Sequence, residues 1–224
     1  PDNSTTILTA LIFATLLFVA GLSYKIVAGV LALGVPTSII GIILILKHAL
    51  PLNEYQYKRI YSWLQPSKYA DDAYQQQNSI MAIGSGQLWG KGLNNSSIAS
   101  MKNGNFISEP QTDFIFAVVG EELGFIGCVI VIVLLLLIVF ECILIAKNAK
   151  DLGGRLICCG MAALIGFQSF INICVTTGLM PNTGLPLPFV SYGLTSLMSL
   201  FIGLGLVLNV GLQARKYHGL GDIE

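Results

Sequence analysis

Apolar residues gather in this chain into long, nearly uncharged blocks separated by shorter polar stretches. Five blocks, at residues 5–24, 26–46, 123–145, 156–175 and 193–213, reach the length needed to cross a bilayer. A helix rising about 1.5 Å per residue needs about 20 apolar residues to span a hydrocarbon core of about 30 Å. Four of the blocks carry no charge, and the third holds only Glu141, near one end. Lipid offers no partner to an open backbone, so each block predicts a helix. The expected fold is all-α: a polytopic membrane helix bundle with five transmembrane spans and a large ordered external loop over residues 51–113.

Composition supports a bilayer as solvent, since charged residues make up only 11% of the chain and mean hydropathy is strongly positive. A formal net charge of zero and the lack of any basic block set nucleic acid aside as a partner. In membrane proteins Lys and Arg in short connections mark the cytoplasmic side. Lys147, Lys150 and Arg155 crowd the link between the third and fourth spans, and Arg215 and Lys216 follow the fifth. Both sites are therefore expected inside, with a cytoplasmic C-terminus. Counting backwards puts Lys25 inside and residues 51–113 outside. The chain opens at Pro1 without a charged leader, and its N-terminus falls outside, so earlier spans are expected upstream.

The external loop is too long for a simple connector, and loops of that size usually carry function or are disordered. Its aromatics, Tyr55, Tyr57, Tyr61, Trp63, Tyr69, Tyr74 and Trp89, argue for order and suit the headgroup level. A belt without chemistry is the simpler reading of them. The five cysteines lie in or beside apolar runs without metal-site spacing and read as small buried hydrophobes. His48 and His218 stand apart from each other and from carboxylates, and read as non-ligands.

Candidate chemistry centres on Asp113, which ends the external loop where an apolar helix begins and can meet a lipid-linked substrate there. Pro110 can open a helix and Thr112 or Asp113 could cap it, so a plain helix cap is the competing reading. An unbroken helix over residues 114–145 would measure about 48 Å, more than the hydrocarbon core. Residues 114–120 are therefore expected above the membrane or along a wet cavity reaching Glu121 and Glu122, which mark either a pathway or simple interfacial solvation. Prolines 181, 186 and 188 and glycines 178, 184 and 193 prevent a helix over residues 176–196, an apolar stretch that needs shielding from lipid and is expected to wall a cavity. A purely structural turn is the alternative. Residues 82–93 are glycine-rich around Lys91, and exposed amides with a lysine can hold a pyrophosphate, although the spacing is not that of a P-loop.

Three segments in this order and spacing, residues 74–92, 109–127 (Glu-Pro-Gln-Thr-Asp-Phe-Ile-Phe through Glu-Glu-Leu-Gly-Phe-Ile-Gly) and 172–193, resemble the SEDS family of RodA, FtsW and SpoVE. Pro1-Asp2 is similar to the end of that family's Gln-Pro-Asp-Leu-Gly-Thr motif, so the resemblance covers nearly the whole chain. It implies a ten-span fold of which the five blocks match spans six to ten, in a bacterial cytoplasmic membrane. It also implies polymerisation of glycan strands from lipid II, in concert with a class B penicillin-binding protein during elongation, division or sporulation. The family's catalytic aspartate carries over to Asp113, with Glu109 as candidate helper. Joining two sugars needs a base to take the proton of the attacking hydroxyl. The developing pyrophosphate charge would be met by basic residues, with Lys91, Lys102 and Arg59 as candidates, or by a divalent cation, for which no ligand cluster is visible. Glu121, Glu122, Asn172, Pro186, Pro188, Ser191 and Tyr192 complete the candidate substrate-binding set.

The sequence departs from the family pattern at Asn3-Ser4, which replaces Leu-Gly, and at Leu194-Thr195, which replaces the commoner Gly-Ser. Neither touches Asp113. Two other readings use the same bundle: a lipid II flippase, and a scaffold that holds a penicillin-binding protein through small residues such as Gly203 and Gly205. A flippase needs polar residues along its spans, and Glu141, Gln168 and Asn172 are few for a sugar headgroup. With the upstream half absent, the 224-residue chain alone is expected to lack polymerase activity.

Overall fold

The computed structural model describes residues 3–23, 54–93 and 111–221, with positions 25, 29, 32, 34 and 36 between the first two stretches. Six helices order them: α1 (Asn3–Val19), α2 (Glu54–Leu64), α3 (Ala70–Ser85), α4 (Ile115–Lys147), α5 (Leu152–Thr176) and α6 (Leu194–Gly221). No strand occurs among the described residues. The block expected over 26–46 lies, apart from isolated positions, outside them.

Among the described residues, three helices are long and apolar enough to cross a membrane: α4 with 33 residues, α5 with 25, and the first 20 residues of α6, Leu194–Gln213. The apolar helix α1 stops earlier than its hydropathy suggests, at 17 residues. Gly21, at φ +108, closes it: the Gly21 amide donates to the Phe18 carbonyl and the Leu22 amide to that of Leu17. That pair of bonds is a Schellman ending, which only a residue tolerant of positive φ completes without strain.

The central helix is α5, which packs along α4, α1 and α6 and meets α3 at its C-terminal end. A four-residue link, 148–151, turns α4 back onto it as an antiparallel neighbour. The core runs the length of this stack in three clusters. Leu8, Phe114, Ile171, Val175 and Leu185 pack at one end. Phe116, Cys128, Leu135, Ile165, Leu187 and Leu200 fill the middle. Cys142, Ala146, Cys158, Ala162 and Val207 close the other end. All five cysteines are free thiols and four are buried, so they serve here as small core residues. Meanwhile Phe125, Ile130, Leu134, Leu136, Leu137 and Phe140 of α4 are largely exposed, an arrangement that water would penalise and lipid accepts.

The aromatic residues of the external stretch divide between two environments. Tyr61 is buried, stacked between Tyr57 and Tyr69 at centroid distances of 6.3 and 5.6 Å, and the Trp63 indole donates to the Gly178 carbonyl at 2.8 Å. The stacked tyrosines join α2 to the start of α3, and Trp63 ties α2 to the turn after α5. Tyr74 and Trp89 are exposed, as an interfacial residue would be.

Candidate functional site

Asp113 sits in a turn over residues 111–114, immediately before α4, and three backbone carbonyls of that turn are held by the proline-rich segment and α5. The Asn172 amide donates to the carbonyls of Asp113 (2.8 Å) and Leu185 (2.7 Å). The Ser191 hydroxyl donates to the Thr112 carbonyl and accepts from the Leu187 amide at 2.7 Å. The Tyr192 amide donates to the Gln111 carbonyl at 2.9 Å. One helical turn below Asn172, the Gln168 amide holds the Pro186 carbonyl at 2.8 Å. Prolines forbid a helix in this segment, and buried carbonyls must still find donors, so α5 supplies them from its side chains.

The Asp113 carboxylate faces that same segment. Gly184, at φ +70, passes so close that a methyl group there would lie 3.5 Å from Asp113 Oδ2. The cap position of α4 is Phe114, whose side chain makes no cap hydrogen bond. A carboxylate beside a helix start is favoured by the exposed amides and the helix dipole. Nearby, Asn172 Oδ1 and Thr183 Oγ1 are buried with no hydrogen-bond partner among the described residues.

Beyond this turn, α4 is not the unbroken helix whose length would exceed the hydrocarbon core. Gly124 has φ 68 and ψ −164, so a short helix over residues 115–123 meets a long one over 125–147 at a break. The break resolves the conflict between 33 helical residues and a bilayer about 30 Å thick. Of the two readings of Glu121, a pathway or simple interfacial solvation, its burial removes the second. Glu121 is 2% exposed and pairs with the Lys91 ammonium at 2.8 Å. Glu122 is half-buried.

The glycine-rich stretch likewise differs from a pyrophosphate cradle, because its backbone is committed to the break. The amides of Lys91 and Gly92 donate to the carbonyls of Glu121 (2.9 Å) and Glu122 (3.0 Å). Across the break, the amides of Phe125 and Ile126 donate to the carbonyls of Gln87 (2.8 Å) and Leu88 (3.3 Å). Glycine is required for contact this close: a Cβ on Gly86 would fall 1.9 Å from the Gly120 carbonyl oxygen, and one on Gly90 2.2 Å from that of Glu122. The bend leaves an apolar recess of about 370 Å³ lined by Ile83, Gln87, Phe116, Phe125, Ile173 and Thr177.

The structure thus gathers the sequence candidates into two groups. Asp113, Asn172, Pro186, Ser191 and Tyr192 meet around the turn, with Pro188 buried in the same segment. Lys91, Glu121 and Glu122 meet at the break. Arg59 lies half-buried on α2, while Glu109 and Lys102 lie outside the described residues. Sequence reasoning missed the residues that cap α5: the Gln76 amide donates to the carbonyls of Val175 and Met180, and the Ser79 hydroxyl to that of Thr176. Their only signal is a helix end followed at once by Thr-Thr-Gly, whose carbonyls need donors from elsewhere.

Comparison with known proteins gives a consistent set of relatives. The family model FTSW_RODA_SPOVE, described as "Cell cycle protein", matches residues 1–216. Stage V sporulation protein E of Bacillus subtilis is 41% identical over 162 residues, covering 72% of this chain and 43% of that protein. A probable peptidoglycan glycosyltransferase FtsW of Haemophilus ducreyi is 36% identical, covering 96% of this chain and 52% of its own length. The peptidoglycan glycosyltransferase MrdB of Escherichia coli K12 is 34% identical over 94% of this chain and 55% of that protein. A solved structure described as coordinating polymerization and crosslinking in a peptidoglycan synthase complex superposes with a TM-score of 0.68. It is 29% identical, over 96% of this chain and 56% of the other. The chain spans about half the length of the curated relatives it matches. With its three membrane-length helices and this match over nearly all its residues, the chain is a multi-pass membrane protein that belongs to the FtsW/RodA/SpoVE family.

Proposed function

We propose that this chain carries the catalytic carboxylate of a peptidoglycan glycosyltransferase, an enzyme that adds lipid II disaccharide units to a growing glycan strand at the outer face of the bacterial inner membrane. The observation that carries this reading is Asp113: a carboxylate at the head of a short helix, its backbone clamped by Asn172 and its neighbours' by Ser191 and Tyr192. Holding a base within a fraction of an ångström of its working position is what proton abstraction from a sugar hydroxyl requires. In this mechanism Asp113 takes the proton of the acceptor hydroxyl as that oxygen attacks the anomeric carbon of the donor sugar. The bond to the undecaprenyl pyrophosphate breaks, and its charge is met by Arg59, Lys102 or a divalent cation. Lys91 is less suited, being paired with buried Glu121. Glu109 is the candidate second carboxylate.

The wider arrangement we propose is five spans corresponding to spans six to ten of a ten-span bundle, a cytoplasmic C-terminus, and assembly with a class B penicillin-binding protein. A peptidoglycan synthase complex among the structural relatives supports the partner, and the family relatives named glycosyltransferases support the reaction. A flippase is disfavoured by how α5 uses its polar side chains: Gln168 and Asn172 are spent on loop carbonyls rather than on a path through the bundle.

The test is lipid II polymerisation by the full-length protein with its penicillin-binding partner, comparing native sequence with Asp113→Asn at matched membrane abundance. Loss of a general base lowers turnover by about 10²- to 10⁴-fold. Glycan strands formed at the native rate would end the enzyme reading for Asp113.

A further inference from the structure

The short helix that follows Asp113 is clamped at both ends, and the second clamp has no part in the chemistry described so far. Residues 87–92 run across the break in α4 as a splint. Their amides take the last carbonyls of the short helix, at Glu121 and Glu122, and their carbonyls take the first amides of the span, at Phe125 and Ile126. A helix end buried without partners is costly, so the splint satisfies both ends at once and fixes the angle between them. Inside it, Lys91 and Glu121 form a 2.8 Å ion pair whose carboxylate is almost wholly buried. A pair with one partner buried gains little net stability over apolar packing, and its best-attested use is to fix one arrangement among several. Upstream the splint is continuous with α3, which is anchored on the end of α5 through Gln76 and Ser79. The far end of the short helix and the loop around Asp113 are therefore referred to the same helix, α5.

We propose that Lys91 and Glu121 are positioning residues for Asp113: their ion pair locks the short helix at the angle that sets the carboxylate against the segment at Gly184. Glu121 lies eight residues from Asp113, about 12 Å along the helix axis, too far to touch the same reacting atoms. Its effect passes through the orientation of the helix. This inference rests on Asp113 acting as the base in glycan polymerisation.

The experiment uses the full-length protein with its penicillin-binding partner and labelled lipid II, measuring kcat and KM separately. Glu121→Asp keeps the charge and shortens the arm by one methylene, so the protein folds while the lock loosens. A shift of this kind at the base lowers kcat by about 10- to 100-fold with KM unchanged. Lys91→Arg, which lengthens the opposite arm, restores kcat to within about threefold in the double variant with Glu121→Asp, since it re-forms the pair. A rise in KM with native kcat would overturn the proposal in favour of a direct substrate contact by Lys91. Native kcat and KM in Glu121→Asp, or no rescue by Lys91→Arg, would overturn it in favour of a purely structural pair. Asp113→Asn run alongside separates the two levels: if it too polymerises at the native rate, the base assignment fails, whereas its inactivity beside a fully active Glu121→Asp removes the positioning role alone.

Discussion

Two stretches of one apolar run, either side of Gly124, take opposite positions in the molecule. Before it, residues 115–123 form a short helix whose Phe116, Ala117, Val118, Gly120 and Glu121 are buried in protein. After it, residues 125–147 form a span of about 34 Å whose large side chains are mostly exposed. Sequence hydropathy separates them only in part: Ile115, Phe116, Val118 and Val119 read like the span that follows, while Glu121 and Glu122 interrupt the run just before Gly124. Their neighbours differ as well: among the described residues the first helix lies against residues 83–91 and the proline-rich segment, while the second runs along α5 and α6. Apolar sequence therefore specifies removal from water, and the break at Gly124 marks where the helix buried in protein ends and the span with the exposed apolar face begins.

The sharpest way to break this division is Gly124→Val. The dihedrals at Gly124 belong to a region that only glycine occupies without strain, and a Cβ there would stand 2.3 Å from the Gly90 amide nitrogen. Straightening the helix to relieve the clash would tear the splint from both helix ends. Unfolding of the purified full-length protein in detergent should show a loss of about 4 kcal/mol, at the upper end of single-residue effects. Native stability would mean that α4 runs straight through this position.

How far the sequence discloses this architecture depends on the physical origin of each feature. The membrane-length helices are legible because hydrocarbon thickness imposes a length, and the helical length of α4 already conflicts with it. Asp113 is legible as a carboxylate at the junction of polar loop and apolar run. What closes the conflict is less legible: Gly120, Gly124 and Gly127 are all glycines in one stretch, and only the approach of residues 86–92 singles out Gly124 for positive φ. The glycine-rich stretch suggests phosphate because free amides bind anions, yet here its amides bind the carbonyls of a broken helix. Local sequence cannot distinguish the two acceptors, since both ask the backbone for the same close approach.

A smaller effect is expected at Asn172, which ties the buried side of the division to Asp113. Its side chain is fully buried and gives both amide protons to loop carbonyls. Asn172→Ala takes its donor from both carbonyls and should cost about 2–3 kcal/mol. Ser169, one turn away on α5, provides the control, because its buried hydroxyl has no partner among the described residues and Ser169→Ala should be close to neutral. Equal losses from the two substitutions, measured by detergent unfolding, would mean that the Asn172 bonds do not hold the turn.

The smallest effect should come from the exposed face of the span, and it tests what covers that face. Phe140 is 56% exposed on α4, well below the break. Lipid tails are about as apolar as a Leu side chain, so lipid replaces a deleted ring with little change in transfer free energy. Phe140→Ala should therefore shift stability in bilayer nanodiscs by no more than about 0.5 kcal/mol. The contrast with a buried core phenylalanine, whose truncation leaves a cavity worth about 3–5 kcal/mol, is the energetic form of the division at Gly124. A loss above about 2 kcal/mol at Phe140 would place another part of the full-length protein or a partner helix on this face, and the span would then join the short helix as a segment buried in protein.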